Sequence, residues 1–155
     1  MLILNVLMTI RLLMFLIDTN IISELRKGQK ADAGVIEFFA NAVKNNTPLY
    51  ISVITLGELR RGVELIINRG DVAQGRLLAD WLYSVQTEYQ NNVLTIDAEI
   101  ALLWGKMCGS NPQNSIDKLI AATALIFELT VVTRNIKDFE NTGVNLLNPF
   151  SNTRN

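Results

Sequence analysis

Short apolar runs alternate with longer stretches of helical periodicity along most of the chain. Each run is rich in Ile, Leu or Val and is bounded by polar residues, a pattern typical of strands buried on both faces. The sequence predicts strands at Met14–Ile17, Leu49–Val53, Val93–Ile96, Val131–Thr133 and Val144–Leu147.

Between the strands, apolar residues recur at i, i+3 and i+4, which predicts helices that bury one face. Strands separated by helices favour right-handed crossovers and a largely parallel sheet covered on both faces, so the expected fold class is α/β. The apolar positions of the predicted helices are Val35, Phe38, Phe39, Ala42 and Val43; Leu77, Leu78, Trp81, Leu82 and Val85; Ile100, Leu103, Trp104 and Met107; and Ile116, Leu119, Ile120 and Phe127.

The length of 155 residues predicts one domain, since no internal repeat or Pro/Gly/Ser-rich linker divides the chain. We place this domain at residues 14–150, because Met14 opens a complete buried strand. Residues 1–13 are then an apolar N-terminal extension outside the core, and residues 151–155 are a polar C-terminal tail. The extension has no basic region ahead of its apolar stretch, is interrupted by Arg11 and precedes no A-x-A-like cleavage site. We therefore expect neither a targeting signal nor a membrane segment.

The composition limits the possible chemistry. The chain contains no His and one Cys, which excludes imidazole catalysis, a Cys/His zinc site and a disulfide framework. A lone Cys108 without an export signal favours a reducing cytoplasm. The 14 Lys and Arg nearly balance 15 Asp and Glu, giving a net charge of −1 and a pI of about 5.4, so no global positive field indicates a nucleic-acid partner.

Acidic residues follow the predicted strands. Asp18 comes directly after the first strand, and Glu58 lies soon after the second, on the predicted first turn of the next helix. Asp117 begins the helical segment SIDKLIAATALIF, while Asn135 and Asp138 follow the strand that ends at Thr133. Ligands of open parallel sheets bind in the crevice beyond the carboxyl ends of the strands, so these side chains are expected to form a cluster there.

Helix capping is the alternative explanation for each acid taken singly, because the helix dipole favours acids in a first turn. Thr55 to Glu58 fits a capping box, Asp18 fits an N-cap, and Ser115 is a possible cap of the helix that carries Asp117. Capping does not require the acids to lie at strand ends that a parallel sheet brings together, and both interpretations stay open.

A converging set of carboxylates implies a cation. Like charges within a few ångströms cannot all stay ionised without one, and a set of oxygen ligands selects hard ions such as Mg²⁺ or Mn²⁺. The chemistry expected of such a site is phosphodiester hydrolysis with an activated water, which needs no His.

These residues resemble the PIN-domain ribonucleases, in particular the VapC and FitB-like toxins of bacterial toxin–antitoxin pairs. The resemblance implies a PIN-like sheet of about five strands and a Mg²⁺- or Mn²⁺-dependent endoribonuclease that acts on RNA. It also implies a homodimer in many members and inhibition by a small cognate antitoxin protein. The matching segments, in order from about Met14 to Phe150, are LIDTNIISEL, ITLGELRRGVEL, IDKLIAATAL, LTVVTRNIKDF and VNLLNPF.

The resemblance also assigns roles by position. Asp18, Glu58 and Asp117 correspond to three metal-binding catalytic acids of the family. The family's fourth acid corresponds to Asn135, with Asp138 as the neighbouring carboxylate able to take its place. Thr19, Asn20 and Thr133 are candidates for hydrogen bonds that orient the ligands, with capping of the adjoining helices as the alternative.

RNA binding requires cations near the acidic crevice, because phosphate neutralisation dominates affinity for nucleic acids. Basic residues flank each acidic motif and are the candidates for RNA contact, and a further basic group follows the first helix. The flanking residues are Arg60, Arg61, Lys118 and Arg134, and the further group is Arg26, Lys27 and Lys30.

Two other functions are considered. One is a catalytically inactive PIN-like module that acts through protein contacts, an interpretation that Asn135 favours. The other is a phosphatase with an aspartate nucleophile, but that class shows Asp-x-Asp after its first strand, where this chain has Asp18-Thr19-Asn20.

Overall fold

A computed structural model describes residues 14–151 of the chain. The N-terminal extension at residues 1–13 and all but the first residue of the C-terminal tail lie outside the described residues. No helix within residues 14–151 is both long and apolar enough to cross a membrane.

The described chain forms strands and helices in the alternating order that the apolar pattern predicts. The strands are β1 (Phe15–Ile17), β2 (Leu49–Ser52), β3 (Val93–Leu94), β4 (Thr130–Val132) and β5 (Leu146–Leu147). The helices are α1 (Thr19–Leu25), α2 (Ala33–Lys44), α3 (Val53–Asn68), α4 (Val72–Glu88), α5 (Ala98–Ser110) and α6 (Ser115–Phe127), with short 3-10 turns at Gly28–Lys30 and Ile136–Phe139.

The five strands form one parallel sheet with the order β3-β2-β1-β4-β5. Central strand β1 pairs Phe15 with Leu49 of β2 on one side and with Thr130 of β4 on the other. The chain therefore builds outward from β1 to β3, then crosses to β4 and β5 on the opposite side. This reversal between β1 and β4 is the point at which open α/β sheets bind ligands. The expected α/β fold class is confirmed.

The strand limits differ from those predicted, by one or two residues at several ends. Val53 belongs to α3, because the Ser52 hydroxyl accepts the Ile54 N–H at 3.2 Å and starts the helix directly at the end of β2. Edge strands β3 and β5 pair over two residues each, and each has a neighbouring strand on one side only. Thr133 lies just beyond β4, which leaves its hydroxyl able to turn toward the end of β1.

Two apolar clusters cover opposite faces of the sheet. Successive strand residues point to opposite faces, so Ile17 packs with the cluster of α1–α4 while Leu16 packs with that of α6. Both side chains are fully buried. Burial of each stabilises the fold by about 1.5–3 kcal/mol and holds the carboxyl end of β1 rigidly in the middle of the molecule.

The end of the described chain is attached to the N-terminus of α2 by Asp32. The Asp32 carboxylate accepts the Gly34 N–H at 2.8 Å as the helix cap. It also accepts the backbone N–H of Ser151 at 2.9 Å and the Ser151 hydroxyl at 2.7 Å. The hydrogen bonds from Ser151 lower the pKa of Asp32.

We expect Gly34→Ala to destabilise the protein by about 1–3 kcal/mol, because the backbone leaves no room for a side chain there. An added Cβ would lie 2.1 Å from the carbonyl oxygen of Pro149. The loss should outweigh the roughly 1 kcal/mol by which Ala exceeds Gly in helix propensity. Urea unfolding measures the change.

Gly105→Ala in α5 is the matched control, since an added Cβ there meets no heavy atom within 4 Å. We expect that variant to be as stable as the wild type or more so. Equal stabilisation by both substitutions would contradict the close packing of the chain end on α2.

Candidate active site

Asp18 lies at the carboxyl end of β1 and caps α1. Its backbone is extended (φ −74°, ψ 156°), and its Oδ1 accepts the Thr19 N–H at 2.7 Å. Only 3% of the residue is exposed. The capping interpretation of this acid is therefore confirmed, and the same carboxylate is also buried at the sheet's switch point.

Two side chains hold the second oxygen of Asp18. The Thr133 hydroxyl donates to Oδ2 at 2.7 Å, and the Asn20 amide donates to it at 3.1 Å. The Thr133 hydroxyl in turn accepts the Asn135 N–H at 3.0 Å, and Asn20 Oδ1 accepts the Arg134 N–H at 3.1 Å. These bonds join the ends of β1 and β4 and fix the orientation of the carboxylate.

Burial raises the pKa of Asp18 above its usual range, and the charge of Glu58 raises it further. The hydrogen bonds from Thr133, Thr19 and Asn20 oppose the rise because they favour the charged carboxylate. Asp18 is thus a buried carboxylate with three hydrogen-bond donors. None of the side chains that shift its pKa is a cation.

Glu58 reaches the site from α3. Its Oε1 accepts the Thr19 hydroxyl at 2.7 Å, and Thr55 lies beside the same hydroxyl at 3.3 Å. Because α3 begins at Val53, Glu58 lies in the second turn of the helix, so its predicted place in the first turn was wrong. The alternative of a capping box from Thr55 to Glu58 was also wrong, since Ser52 caps the helix and Thr55 is a buried interior residue.

Asp117 lies in the first turn of α6, as predicted, and is partly buried. The helix cap is Asn114, in the left-handed region, so the alternative of Ser115 as the cap was wrong. Burial, followed by the charges of Asp18, Asp138 and Glu58, raises the pKa of Asp117 to about 7. The predicted acids therefore occupy one negative field.

The residues proposed to complete the site come from the loop after β4. Asn135 is exposed and precedes the 3-10 turn, with its backbone N–H bonded to Thr133. Asp138 lies within that turn, where its charge contributes to the raised pKa of Asp117. Phe139 next to it is buried in the core, which fixes the turn against α6.

The oxygen donors fit a hydrated divalent cation rather than a closed protein cage. Among residues 14–151, no group of three or more Asp, Glu or Cys side chains is arranged to hold a metal ion. Mg²⁺ commonly binds through one or two carboxylates and keeps several waters, and a nearby cation would relieve the repulsion felt by Asp117.

Of the four residues predicted to contact RNA, three are exposed and one is buried. Arg60 and Arg61 are exposed on α3, with Arg60 paired to Glu64 at 2.5 Å. Arg134 is exposed beside the site, 4.7 Å from the centre of the Phe150 ring.

Lys118 is not on the open face of the site. It is buried, its ammonium donates to the backbone carbonyls of Asn111 and Gln113, and it lines a separate cavity beside α5. The expectation that it contacts RNA is therefore not supported. Neighbouring residues of a helix point about 100° apart, so being next to Asp117 in sequence does not bring Lys118 to the crevice.

A family model of the PIN domain matches residues 15–145. The chain belongs to the PIN-domain family. It is 32% identical over 145 residues to plasmid stability protein StbB of Pseudomonas syringae pv. tomato. The aligned region covers 88% of this chain and 99% of StbB. The chain is also 29% identical to VapC ribonuclease Y4jK of Sinorhizobium fredii (88% and 98% covered) and 30% identical to toxin FitB of Neisseria gonorrhoeae (88% and 99% covered).

The PIN-domain fold agrees with the crystal structure of FitAcB from Neisseria gonorrhoeae. The TM-score is 0.73 at 28% identity, and the match covers 87% of this chain and 97% of the matched chain. The resemblance to VapC and FitB-like proteins is therefore confirmed.

A cavity of about 360 Å³ extends the PIN-domain site between α1, α3 and α4. Thr19 and Glu58 lie at its acidic end, and Arg69 and Trp81 line it farther along. Arg69 was not among the site residues predicted from the sequence. It could have been found from helical spacing, because Glu58, Gly62, Ile66 and Arg69 follow one another at intervals of four, four and three residues. This spacing places them along one side of α3.

Proposed function

We propose that this PIN-domain protein is a Mg²⁺- or Mn²⁺-dependent endoribonuclease, the toxin of a toxin–antitoxin pair, and hydrolyses RNA phosphodiesters. The observation that carries the proposal is the placement of Asp18, Glu58 and Asp117 at the switch point, where burial, followed by the charges of Asp18, Asp138 and Glu58, raises the pKa of Asp117 to about 7. Similarity to proteins named VapC ribonuclease and toxin FitB supports the same conclusion.

In this proposal Asp18, Glu58 and Asp117 hold the divalent ion, and Asn135 or Asp138 completes the site. When bound, the ion supplies an activated water as the nucleophile and neutralises charge on the phosphate. Because the pKa of Asp117 is raised to about 7, a cation held by this carboxylate would compete with a proton near neutral pH.

The remaining polar residues orient the acids. Thr133 and Asn20 hold Oδ2 of Asp18, while the Thr19 N–H holds Oδ1 and the Thr19 hydroxyl holds Glu58. Partners of this kind fix the direction of ligand oxygens before a ligand arrives, which lowers the cost of assembling the site. Thr19 is thus hydrogen-bonded both to Asp18 at the end of β1 and to Glu58 on α3.

RNA phosphates would meet exposed cations at the edge of the acidic crevice. Arg134 lies beside the loop that carries Asn135, and Arg60 and Arg61 lie on the helix that carries Glu58. We retain these three arginines as RNA-contact candidates.

We further propose that a small antitoxin protein binds and inhibits the chain, that the chain forms a homodimer, and that it acts in the cytoplasm as a single domain at residues 14–150. The resemblance to the complex named FitAcB supports a protein partner. RNA as the substrate supports the compartment.

The test is cleavage of a mixed RNA substrate by the purified protein with Mg²⁺, with Mn²⁺ and with EDTA. We expect cleavage with either ion, none with EDTA, and loss of cleavage in Asp18→Asn. The matched control is Asp97→Asn, because Asp97 is an exposed N-cap on α5 and Asn caps a helix equally well.

Failure of the folded wild type with every ion, after verified removal of any co-purified antitoxin, would favour the inactive interaction module. Cleavage by both the wild type and Asp18→Asn would indicate a contaminating ribonuclease and would contradict the assignment of Asp18.

A further inference from the structure

The cavity beside Glu58 has a composition that holding a cation does not require. Its lining combines the Trp81 indole with the guanidinium groups of Arg26 and Arg69. We propose that this cavity is a subsite for one nucleotide of single-stranded RNA next to the scissile phosphate. The proposal rests on the proposed ribonuclease function and adds the part of the substrate that the protein recognises.

The subsite contains two flat groups on which an RNA base can stack, the Trp81 indole and the Arg26 guanidinium. The Arg26 guanidinium lies 5.9 Å from the centre of the Trp81 ring, and Trp81 is partly buried. Unstacked RNA bases bind on aromatic rings and on guanidinium planes, because both present flat faces to the base. Because the guanidinium lies over the indole, a base that enters the cavity stacks on the guanidinium or displaces it from the ring.

The charge of the lining fits a phosphate-bearing ligand. Of the described residues that line the cavity, two are arginines and one, Glu58, is an acid that already belongs to the catalytic end. Arg26 and Arg69 are both exposed, so each is accessible to a phosphate on the strand. Gln74 adds amide donor and acceptor groups suited to base edges.

Continuity with the acids favours RNA over a peptide as the occupant. Thr19 and Glu58 belong both to the acidic site and to the cavity, so a strand whose phosphate lies at the acids has its neighbouring nucleotide at the cavity. The volume of about 360 Å³ is at the small end of ligand sites, as expected for one nucleotide.

Gly62 permits a direct test because it lines the cavity and an added Cβ meets no heavy atom within 4 Å. We expect Gly62→Leu to fill the subsite without displacing the core. The dissociation constant for a short fluorescein-labelled single-stranded RNA should rise roughly tenfold, the loss expected when one stacked base is excluded. Fluorescence anisotropy in EDTA measures binding of the full chain while preventing metal-dependent cleavage.

Gly105→Leu is the matched control, since Gly105 is also an exposed helical glycine with open space around its Cβ position. It lies on α5, away from the cavity, and we expect RNA binding equal to that of the wild type. Thermal unfolding of both variants verifies that any loss of binding comes from the subsite.

Arg69→Gln tests the phosphate contact separately. A plot of log association constant against log salt concentration should become shallower by about 0.7, the contribution of one phosphate contact on a single strand. Arg76→Gln is its control, because Arg76 is exposed on α4 but does not line the cavity.

Wild-type RNA affinity in Gly62→Leu would overturn the subsite, whatever the cleavage assay shows. Loss of binding to a small protein partner with RNA affinity intact would assign the cavity to that partner and would equally overturn it. RNA binding that depends on Gly62, in a protein that cleaves nothing, would retain the subsite and contradict only the nuclease proposal.

Discussion

Replacing Asp117 by Asn is expected to reduce RNA cleavage by roughly 10³-fold or more while leaving the metal-free fold at least as stable as the wild type. Removal of one group that stabilises transition-state charge costs about 10²–10³-fold, and loss of a cation ligand adds to that. Stability should not fall, because the variant removes a partly buried charge that faces Asp18, Asp138 and Glu58.

The raised pKa of Asp117 predicts how the stability of the metal-free wild type changes with pH. A carboxyl whose pKa rises from 3.8 to about 7 on folding binds protons more tightly in the folded state. The metal-free wild type should therefore lose stability as the pH rises from about 4 to about 7, by about 2 kcal/mol after allowance for the solvent exposure of Asp117. This loss should be smaller in Asp117→Asn, with the raised pKa of Asp18 accounting for the part that remains.

Urea unfolding in EDTA at several pH values, together with the RNA cleavage assay, checks both halves of the prediction. Asp97→Asn serves again as the control and should change neither property. An Asp117→Asn protein that fails to fold would identify Asp117 as a structural residue, and one that retains cleavage would remove it from the proposed catalytic set.

Replacing Asp18 by Asn is expected to abolish cleavage as well, but with the opposite effect on stability. An Asn side chain has one acceptor oxygen, whereas both Asp18 oxygens accept hydrogen bonds. One orientation of the amide places its NH₂ against the Asn20 donor, and the other places it against the Thr19 N–H. Loss of a buried acceptor costs about 1–3 kcal/mol, partly offset by removal of the buried charge.

Asp18→Asn and Asp117→Asn are best compared by their stability. Both should lose metal-dependent cleavage, but only Asp18→Asn should unfold at a lower urea concentration in EDTA. Equal or greater stability in Asp18→Asn would contradict the role of its carboxylate in joining β1 and β4. Thr133→Val should show the same direction of change, since it removes the 2.7 Å hydrogen bond to the same oxygen.

The fold was predictable because local pattern and global architecture agree. Runs such as Leu49 to Ile51 are apolar without alternation, and helical stretches separate them, which leaves a parallel sheet as the consistent arrangement. The limits of these elements were less predictable. A single hydroxyl at Ser52 starts α3 directly after β2 and places Glu58 in the second turn, although the sequence also fits a capping box that begins at Thr55.

The sequence by itself determined the α/β class and the family and gave the candidate acids, because each depends on residue type and order along the chain. Tertiary structure decided which side chains meet. Thr133 is 115 residues from Asp18, yet it holds that carboxylate. Lys118 is next to Asp117, yet it turns away to backbone carbonyls. The cavity with Arg69 and Trp81 exists only where three helices pack together. Pairing across a sheet and the direction of a side chain on a helix depend on three-dimensional register, which neighbouring residues in sequence do not specify.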